Sequence, residues 1–443
     1  MSWFDAKEHN RWLSHNMHTI LEYGHNAAIP TGFGYLRGDG TIDHNQPCWL
    51  YITARMTFVY SMGSIMGIPQ CRKFATHGLK ALETYFYDEE HGGWYEAIEA
   101  APDDNGKAVP VKGHDGKQGF ATQCVLLAAA TATIANRPGA HELLAKAIDD
   151  QEAHWWDPEF SMVHSAWDTA YSQREAYNGL VAQLHAVEAY LSVSDAIHDQ
   201  LWIDRAVDIL HRVYQIAEAN HWRIPEHYDA QWEPIYDFNE DDKFNFERPW
   251  GITVGHAFEF AHLTLLARAM LEDAGREVPE WMLTMATEIF DRARVDAWNR
   301  DGLPGFCYTT DYDGNPVDSR REYWVPLQAV QATVALFRTI QNTGGRSADL
   351  EHYEHCYHSW MDYVAEYVFE RPGISHYHPA SSSGVLPGES HGHQGIYHAF
   401  QAMLAPRLPL SPTMALALSN GKLDKPTWRA SKKKKKKAWF GRQ

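Results

Sequence analysis

The chain has 443 residues, 44% of them hydrophobic, with a formal net charge of −18 at neutral pH and five cysteines. That charge argues against nucleic acid or an anionic membrane as partner, since both call for a positive contact surface, and no apolar run reaches the roughly 18 residues of a membrane span. Cys48, Cys71, Cys124, Cys307 and Cys356 are odd in number and never in CxxC spacing, which suits reduced thiols in a cytoplasm and gives neither a disulfide framework nor a zinc ribbon.

The N-terminus, MSWFDAKEHNRWLSHNMHTI, lacks the basic start, apolar stretch and cleavage site of a signal peptide, so a cytoplasmic location is expected. The 26 His and 17 Trp, without basic charge, suit a pocket that stacks on a neutral, hydroxyl-rich ligand such as a sugar. A large aromatic core would give the same composition.

In chain order, helical segments rich in small and apolar residues alternate with charged amphipathic ones. PCWLYITARMTFVYSM, around Arg55, is followed by KFATHGLKALETYF. KQGFATQCVLLAAATA, around Phe120, is followed by AHELLAKAIDDQEAHWW. YNGLVAQLHAVEAYL, around His185, precedes LWIDRAVDILHRVYQIAEA, and GITVGHAFEFAHLTL, around His256, precedes PEWMLTMATEIFDRARVDAW. EYWVPLQAVQATVAL, around Gln328, precedes HYEHCYHSWMDYVAEYVF, and GIYHAFQAML, around His398, comes last. The markers recur every 65 to 72 residues, longer than the 34 to 47 or so of helical solenoid units.

Six such hairpins joined by Gly-, Asp- and Trp-rich loops predict an all-α (α/α)6 barrel over residues 1–410. The apolar helices line the inside, the charged ones form the outer layer, and the long loops gather at one mouth. Residues 411–443, which include six consecutive lysines from Lys432 to Lys437, are expected to be a disordered tail.

GITVGHAFEFAHLTL brings His256, Glu259 and His262 into one run, which raises the possibility of a metal site. At about 100° per residue, His256 and Glu259 lie some 60° apart, whereas His262 falls about 120° from His256. No H-E-x-x-H spacing occurs, so no metal and no other cofactor is expected, and His262 is expected to be a packing or helix-face residue. The His256–Glu259 pair remains, a carboxylate placed to fix an imidazole's tautomer and raise its basicity. His185 and Glu188 repeat it one period earlier, and His398 with Gln401 stands at the matching place in the last repeat. Three imidazoles at equivalent places of a ring converge on one axial cavity, as acid–base chemistry requires. Arg55 is placed to bind a substrate oxygen or anion.

RPWGITVGHAFEF and the downstream YHAFQAML resemble the N-acylglucosamine 2-epimerase superfamily, within it the metal-independent aldose–ketose isomerases, over about residues 5 to 408. The resemblance implies the same barrel and a monosaccharide substrate. It implies His398 as the base at C2, His256 as the group for ring opening and the second proton, and Glu259 as the residue that orients His256. It further implies Arg55, His185 and Gln394 as substrate-binding residues, with Gln328 counted among them, Trp49 and Trp324 as sugar-stacking walls, and Arg248 as an oxygen or anion contact. The chain departs from the pattern in Gln328, where many relatives carry Glu, and in Phe120 and Thr122, where Tyr and His are frequent.

The chemistry so implied is a proton transfer between C1 and C2 through a cis-enediolate. It interconverts a free aldose such as mannose with its 2-ketose. Sulfoquinovose isomerisation, sugar 2-epimerisation and a non-catalytic sugar-binding barrel stand as alternatives.

Overall fold

A computed structural model describes residues 4, 6–37, 40–245, 247–369 and 396–426. Thirteen α-helices are found among them. The six marker segments become α2 (Leu50–Ile65), α4 (Gly119–Ile134), α6 (Leu180–Ile197), α8 (Val254–Asp273), α10 (Trp324–Thr343) and α12 (Tyr397–Leu404). Each packs beside the next, and α12 returns to α2, which closes the ring. These helices are buried around most of their circumference, so they show little helical amphipathicity. Small residues such as Ala128, Ala129, Ala130 and Ala132 of α4, all fully buried, let neighbouring backbones approach closely.

The outer layer is α3 (Cys71–Thr84), α5 (Ala140–Asp150), α7 (Leu201–Ala219), α9 (Trp281–Ala297) and α11 (Ser347–Tyr363). Each presents one apolar stripe inward, such as Ile203, Ala206, Leu210 and Val213 of α7, and its charged face outward. The outer partner of α12 is α1 (Lys7–Gly24), so the N-terminus completes the sixth hairpin. The architecture is thus the (α/α)6 barrel that the repeat predicts.

The loops gather at the N-terminal ends of the inner helices, as expected, and short strands tie them down. Two residues ahead of each of four inner helices pair antiparallel with two residues from a later loop: Cys48–Trp49 with Ala97–Ile98, Lys117–Gln118 with Ala166–Trp167, Asn178–Gly179 with His227–Tyr228, and Ile252–Thr253 with Thr309–Thr310. In the second of these, Lys117 donates to Asp88 at 2.8 Å with both side chains fully buried.

At the far end the chain stays packed past residue 410. Ser411 donates to Asp273 at 2.7 Å, and the backbone N–H and hydroxyl of Thr413 donate to Asp195 at 2.8 and 2.6 Å. The segment α13 (Met414–Ser419) then buries Ala415, Ala417 and Leu418 against the ring. Packed structure therefore continues beyond residue 410 as far as Leu418, held by polar anchors that composition does not advertise. Lys432 to Lys437 lie outside the described residues. None of the helices among the described residues is long and apolar enough to cross a membrane.

Candidate active site

The N-terminal turns of the inner helices carry the expected residues to one place on the axis. Trp324, the first residue of α10, stacks against His256 of α8 (ring centroids 5.4 Å apart, planes at 28°) and against His398 of α12 (5.7 Å, 29°). Gly255 lets the indole settle, because a Cβ there would overlap its six-membered ring. Trp324 was expected as a sugar-stacking wall; it is also the plate that fixes both imidazoles.

The partner of His256 differs from the one expected. Its Nδ1 lies 2.9 and 3.0 Å from the two carboxylate oxygens of Glu226, so the pair shares the Nδ1 proton. Glu226 reaches α8 because its loop folds back on the start of α6. His227 and Tyr228 pair with Gly179 and Asn178, and Leu180 N–H donates to the Glu226 carbonyl at 3.1 Å. The carboxylate also accepts the Thr253 N–H at 3.1 Å, at the positive end of the α8 dipole. Burial works against the imidazolium of His256, yet the charge and hydrogen bond of Glu226, with Glu259 adding its charge, raise its pKa above the ordinary imidazole value. Glu226 escapes a reading by helical spacing because only strand pairing between distant loops delivers it.

Glu259 instead faces His398, with its Oε1 3.7 Å from Nδ1. Burial, and then the neighbouring carboxylates, push Glu259 up to about 7 against the pull of His256 and Arg55. His398 is driven well below the usual imidazole range by burial, then by the Arg55 guanidinium and the neighbouring His185 and His256. It is therefore a neutral imidazole. Gln328 Nε2 donates to His398 Nδ1 at 2.6 Å, and Gln331 Nε2 donates to Gln328 Oε1 at 3.0 Å. The Gln328 amide sets the tautomer of His398. As a donor it keeps the proton on Nε2; turned by 180° together with the Gln331 amide, its carbonyl holds the Nδ1 proton and leaves Nε2 a lone pair.

Across the axis, Arg55 Nη2 donates to His185 Nε2 at 3.0 Å. The guanidinium sits over the rings of Tyr397 (4.5 Å) and Phe120 (5.0 Å). Its Nε is buried without a partner among the described residues, a donor left for a ligand oxygen. Burial pushes His185 down to about 4, against Glu188, whose Oε2 lies 3.7 Å from Nδ1. Glu188 also accepts the Tyr397 hydroxyl.

Trp49 caps α2 at the mouth, half-buried, with His114 edge-on at 4.9 Å. Thr122 is buried, with its hydroxyl unpartnered among the described residues. Arg248 is held in a bidentate pair with Glu175 (2.9 and 3.1 Å) and over the Tyr177 ring at 4.1 Å. Gln394 lies outside the described residues. His262 lies one turn beyond Glu259 on α8, beside Gln331 and Gln401, and burial pushes its pKa down to about 4. Among the described residues, no group of three or more His, Cys, Asp or Glu is placed to hold a metal ion.

The arrangement offers two neutral imidazoles, His398 and His185, one imidazolium-prone imidazole, a carboxyl near neutrality and a buried arginine around an aromatic-walled axis. Such a set can take a proton from carbon, return it, and steady an oxyanion meanwhile.

Comparison with known proteins agrees. Residues 32–402 match the family model described as N-acylglucosamine 2-epimerase. D-mannose isomerase of Thermobifida fusca is 36% identical over 94% of this chain and 98% of that protein. D-mannose isomerase of Pseudomonas cannabina pv. alisalensis is 34% identical over 94% and 97%. Among solved structures, a D-mannose isomerase superposes with a TM-score of 0.78 at 21% identity, covering 92% of this chain and 99% of that one. Cellobiose 2-epimerase from Spirochaeta thermophila DSM 6192 superposes with a TM-score of 0.74 at 17% identity, over 93% and 96%; at these identities the superpositions speak for the fold alone. The chain belongs to the N-acylglucosamine 2-epimerase family and is an enzyme of the sugar isomerase and epimerase class.

Proposed function

We propose that the enzyme interconverts D-mannose and D-fructose by proton transfer between C1 and C2 through a cis-enediolate. One observation carries the reading: two imidazoles held on one indole plate, His398 kept neutral and His256 biased toward its protonated form by Glu226. An acid and a base with environments that push their pKa values apart are the pair such a transfer needs.

His256 helps to open the sugar ring and protonates the carbonyl oxygen. His398, in the tautomer with Nε2 free, takes the proton that the carbonyl makes acidic at C2. Arg55 and His256 stabilise the enediolate oxygen, and His398 returns the proton from Nε2 to C1, while Glu259 stands at its Nδ1 edge. Trp49, Trp324, Phe120 and His185 provide the walls and polar contacts for the sugar, and Gln394 is assigned to substrate binding with them. Because Arg248 is satisfied by Glu175, a neutral aldose suits the site better than a sulfonated one.

The test is substitution. His398→Ala and His256→Ala should each abolish conversion of mannose to fructose, while circular dichroism and sugar binding remain close to those of the parent. Full activity in either variant would sink the assignment.

A further inference from the structure

Arg55 is 6% exposed, yet it forms no ion pair among the described residues. A charge buried without a counter-ion is held only by the groups that replace its water. For Arg55 these are the lone pair of His185 Nε2, 3.0 Å from Nη2, and the faces of Tyr397 and Phe120. A guanidinium can only donate, so the neutral ring of His185 carries its proton on Nδ1. With the proton on Nε2 instead, two N–H groups would face each other across 3.0 Å, and the bond to Arg55 would be lost.

His185 Nδ1 is buried and makes no hydrogen bond among the described residues. Facing it is Oε2 of Glu188, three residues further along α6 and 3.7 Å away. The gap is too long for a hydrogen bond. In a buried site, however, a carboxylate at that distance attracts the N–H dipole and favours the tautomer that points at it. The same Oε2 accepts the hydroxyl of Tyr397, the first residue of α12, whose ring lies 4.5 Å from the guanidinium carbon. Glu188 therefore meets both supports of Arg55, the imidazole at its Nδ1 edge and the aromatic face through its phenol. The Tyr397 ring also stands edge-on to His398, with centroids 4.8 Å apart, so the anchored phenol steadies the first turn of the helix that bears the base.

We propose that Glu188 is a positioning residue: it fixes His185 in the Nδ1–H tautomer, holds Tyr397 in place, and through both aims Arg55 at the enediolate oxygen. The proposal rests on the isomerase reading for the identity of that oxygen, whereas the tautomer of His185 is a property of the sugar-free protein. Arg55 acts on charge that develops only in the transition state, so loss of its support falls on kcat rather than on KM. Glu188 itself takes up no proton in the reaction.

Glu188→Gln in the full chain separates this role from packing, because it keeps the size of the side chain and removes the charge. An amide oxygen in the place of Oε2 attracts the Nδ1 proton less, and an amide nitrogen there donates to Nδ1 and drives the proton to Nε2. Nitrogen-15 NMR of the sugar-free wild type should show His185 protonated at Nδ1, with the signal assigned by its loss in His185→Gln. In Glu188→Gln the population should shift toward Nε2–H. Its kcat for mannose should fall by roughly 10-fold or more, with KM within a few-fold of wild type. Tyr397→Phe keeps the ring under Arg55 and removes only the hydroxyl. It should lower kcat with the same small effect on KM, and it decides the matter where Glu188→Gln does not fold. A wild-type His185 protonated at Nε2, or a folded Glu188→Gln with its tautomer unchanged, overturns the proposal, and so does wild-type kcat in a folded Tyr397→Phe. A wild-type protein that forms no ketose from mannose refutes the isomerase reading instead, and the tautomer, read without sugar, still judges Glu188.

Discussion

Glu226→Gln is the sharpest test of how the acid of the pair is built. The substitution keeps an acceptor for Thr253 N–H, now 3.1 Å from Oε1, but turns an amide toward His256 Nδ1 in place of a carboxylate oxygen at 2.9 Å. A hydrogen bond to a charged group is worth about 1.5–3 kcal/mol. At about 1.4 kcal/mol per decade, its loss should lower kcat/KM by roughly 10- to 100-fold. The direction in pH also follows. Glu226 holds the His256 pKa up, so the loss of activity with rising pH, as His256 gives up its proton, should move to lower pH in the variant. Steady-state rates from pH 5 to 9 read both effects, and thermal unfolding checks that the fold survives. A variant with wild-type kcat/KM and an unmoved alkaline limb would refute the role given to Glu226.

Glu259→Gln should change stability in a pH-dependent way. Folding raises this carboxyl from 4.5 to about 7, so between those values the folded chain holds a proton that the unfolded chain releases, and stability falls as pH rises through the window. The melting temperature of the variant relative to wild type should therefore climb between pH 5 and pH 8; a constant difference would count against the shift. Gly255→Ala places a methyl in the Trp324 ring, and overpacking of this kind costs about 1–3 kcal/mol. Denaturant unfolding should show that loss together with a raised KM for mannose, and an unperturbed KM would mean that the indole does not organise the site. Lys117→Met removes the ammonium from the fully buried carboxylate of Asp88, 2.8 Å away, and leaves it the Glu90 and His91 N–H groups and the His91 ring. Removal of one partner of a buried pair costs about 3–5 kcal/mol, and a melting temperature equal to wild type would contradict that estimate.

What could be read from the sequence follows the range of the forces involved. The repeat of apolar and charged helices is set by local periodicity, and α2 to α12 appear where the pattern puts them. Helical phase sets His262 apart from His256, and in the structure Trp324 stacks on both His256 and His398 while Arg55 bonds His185. It could not reveal which carboxylate meets which imidazole. Glu259 shares a helix face with His256 but reaches across to His398, while Glu226 arrives on a loop pinned by the pairing of His227 with Gly179. Arg248 reads as a free cation because Glu175, its partner, lies 73 residues away. The packed segment after residue 410 is hidden from the sequence for a similar reason, since Thr413 and Ser411 are held by Asp195 and Asp273 at the ends of distant helices. The closing role of α1 was equally invisible, as nothing local to the N-terminus marks it as the sixth outer helix.

The central claim is that the protein moves a proton between C1 and C2 of mannose with its own histidines. Nuclear magnetic resonance of mannose incubated with the protein in heavy water, with an excess of chelator and His398→Ala in parallel, tests it most directly. The account predicts that wild type forms fructose and that the variant forms none. Mannose that keeps its C2 proton and yields no ketose over the same period would contradict it.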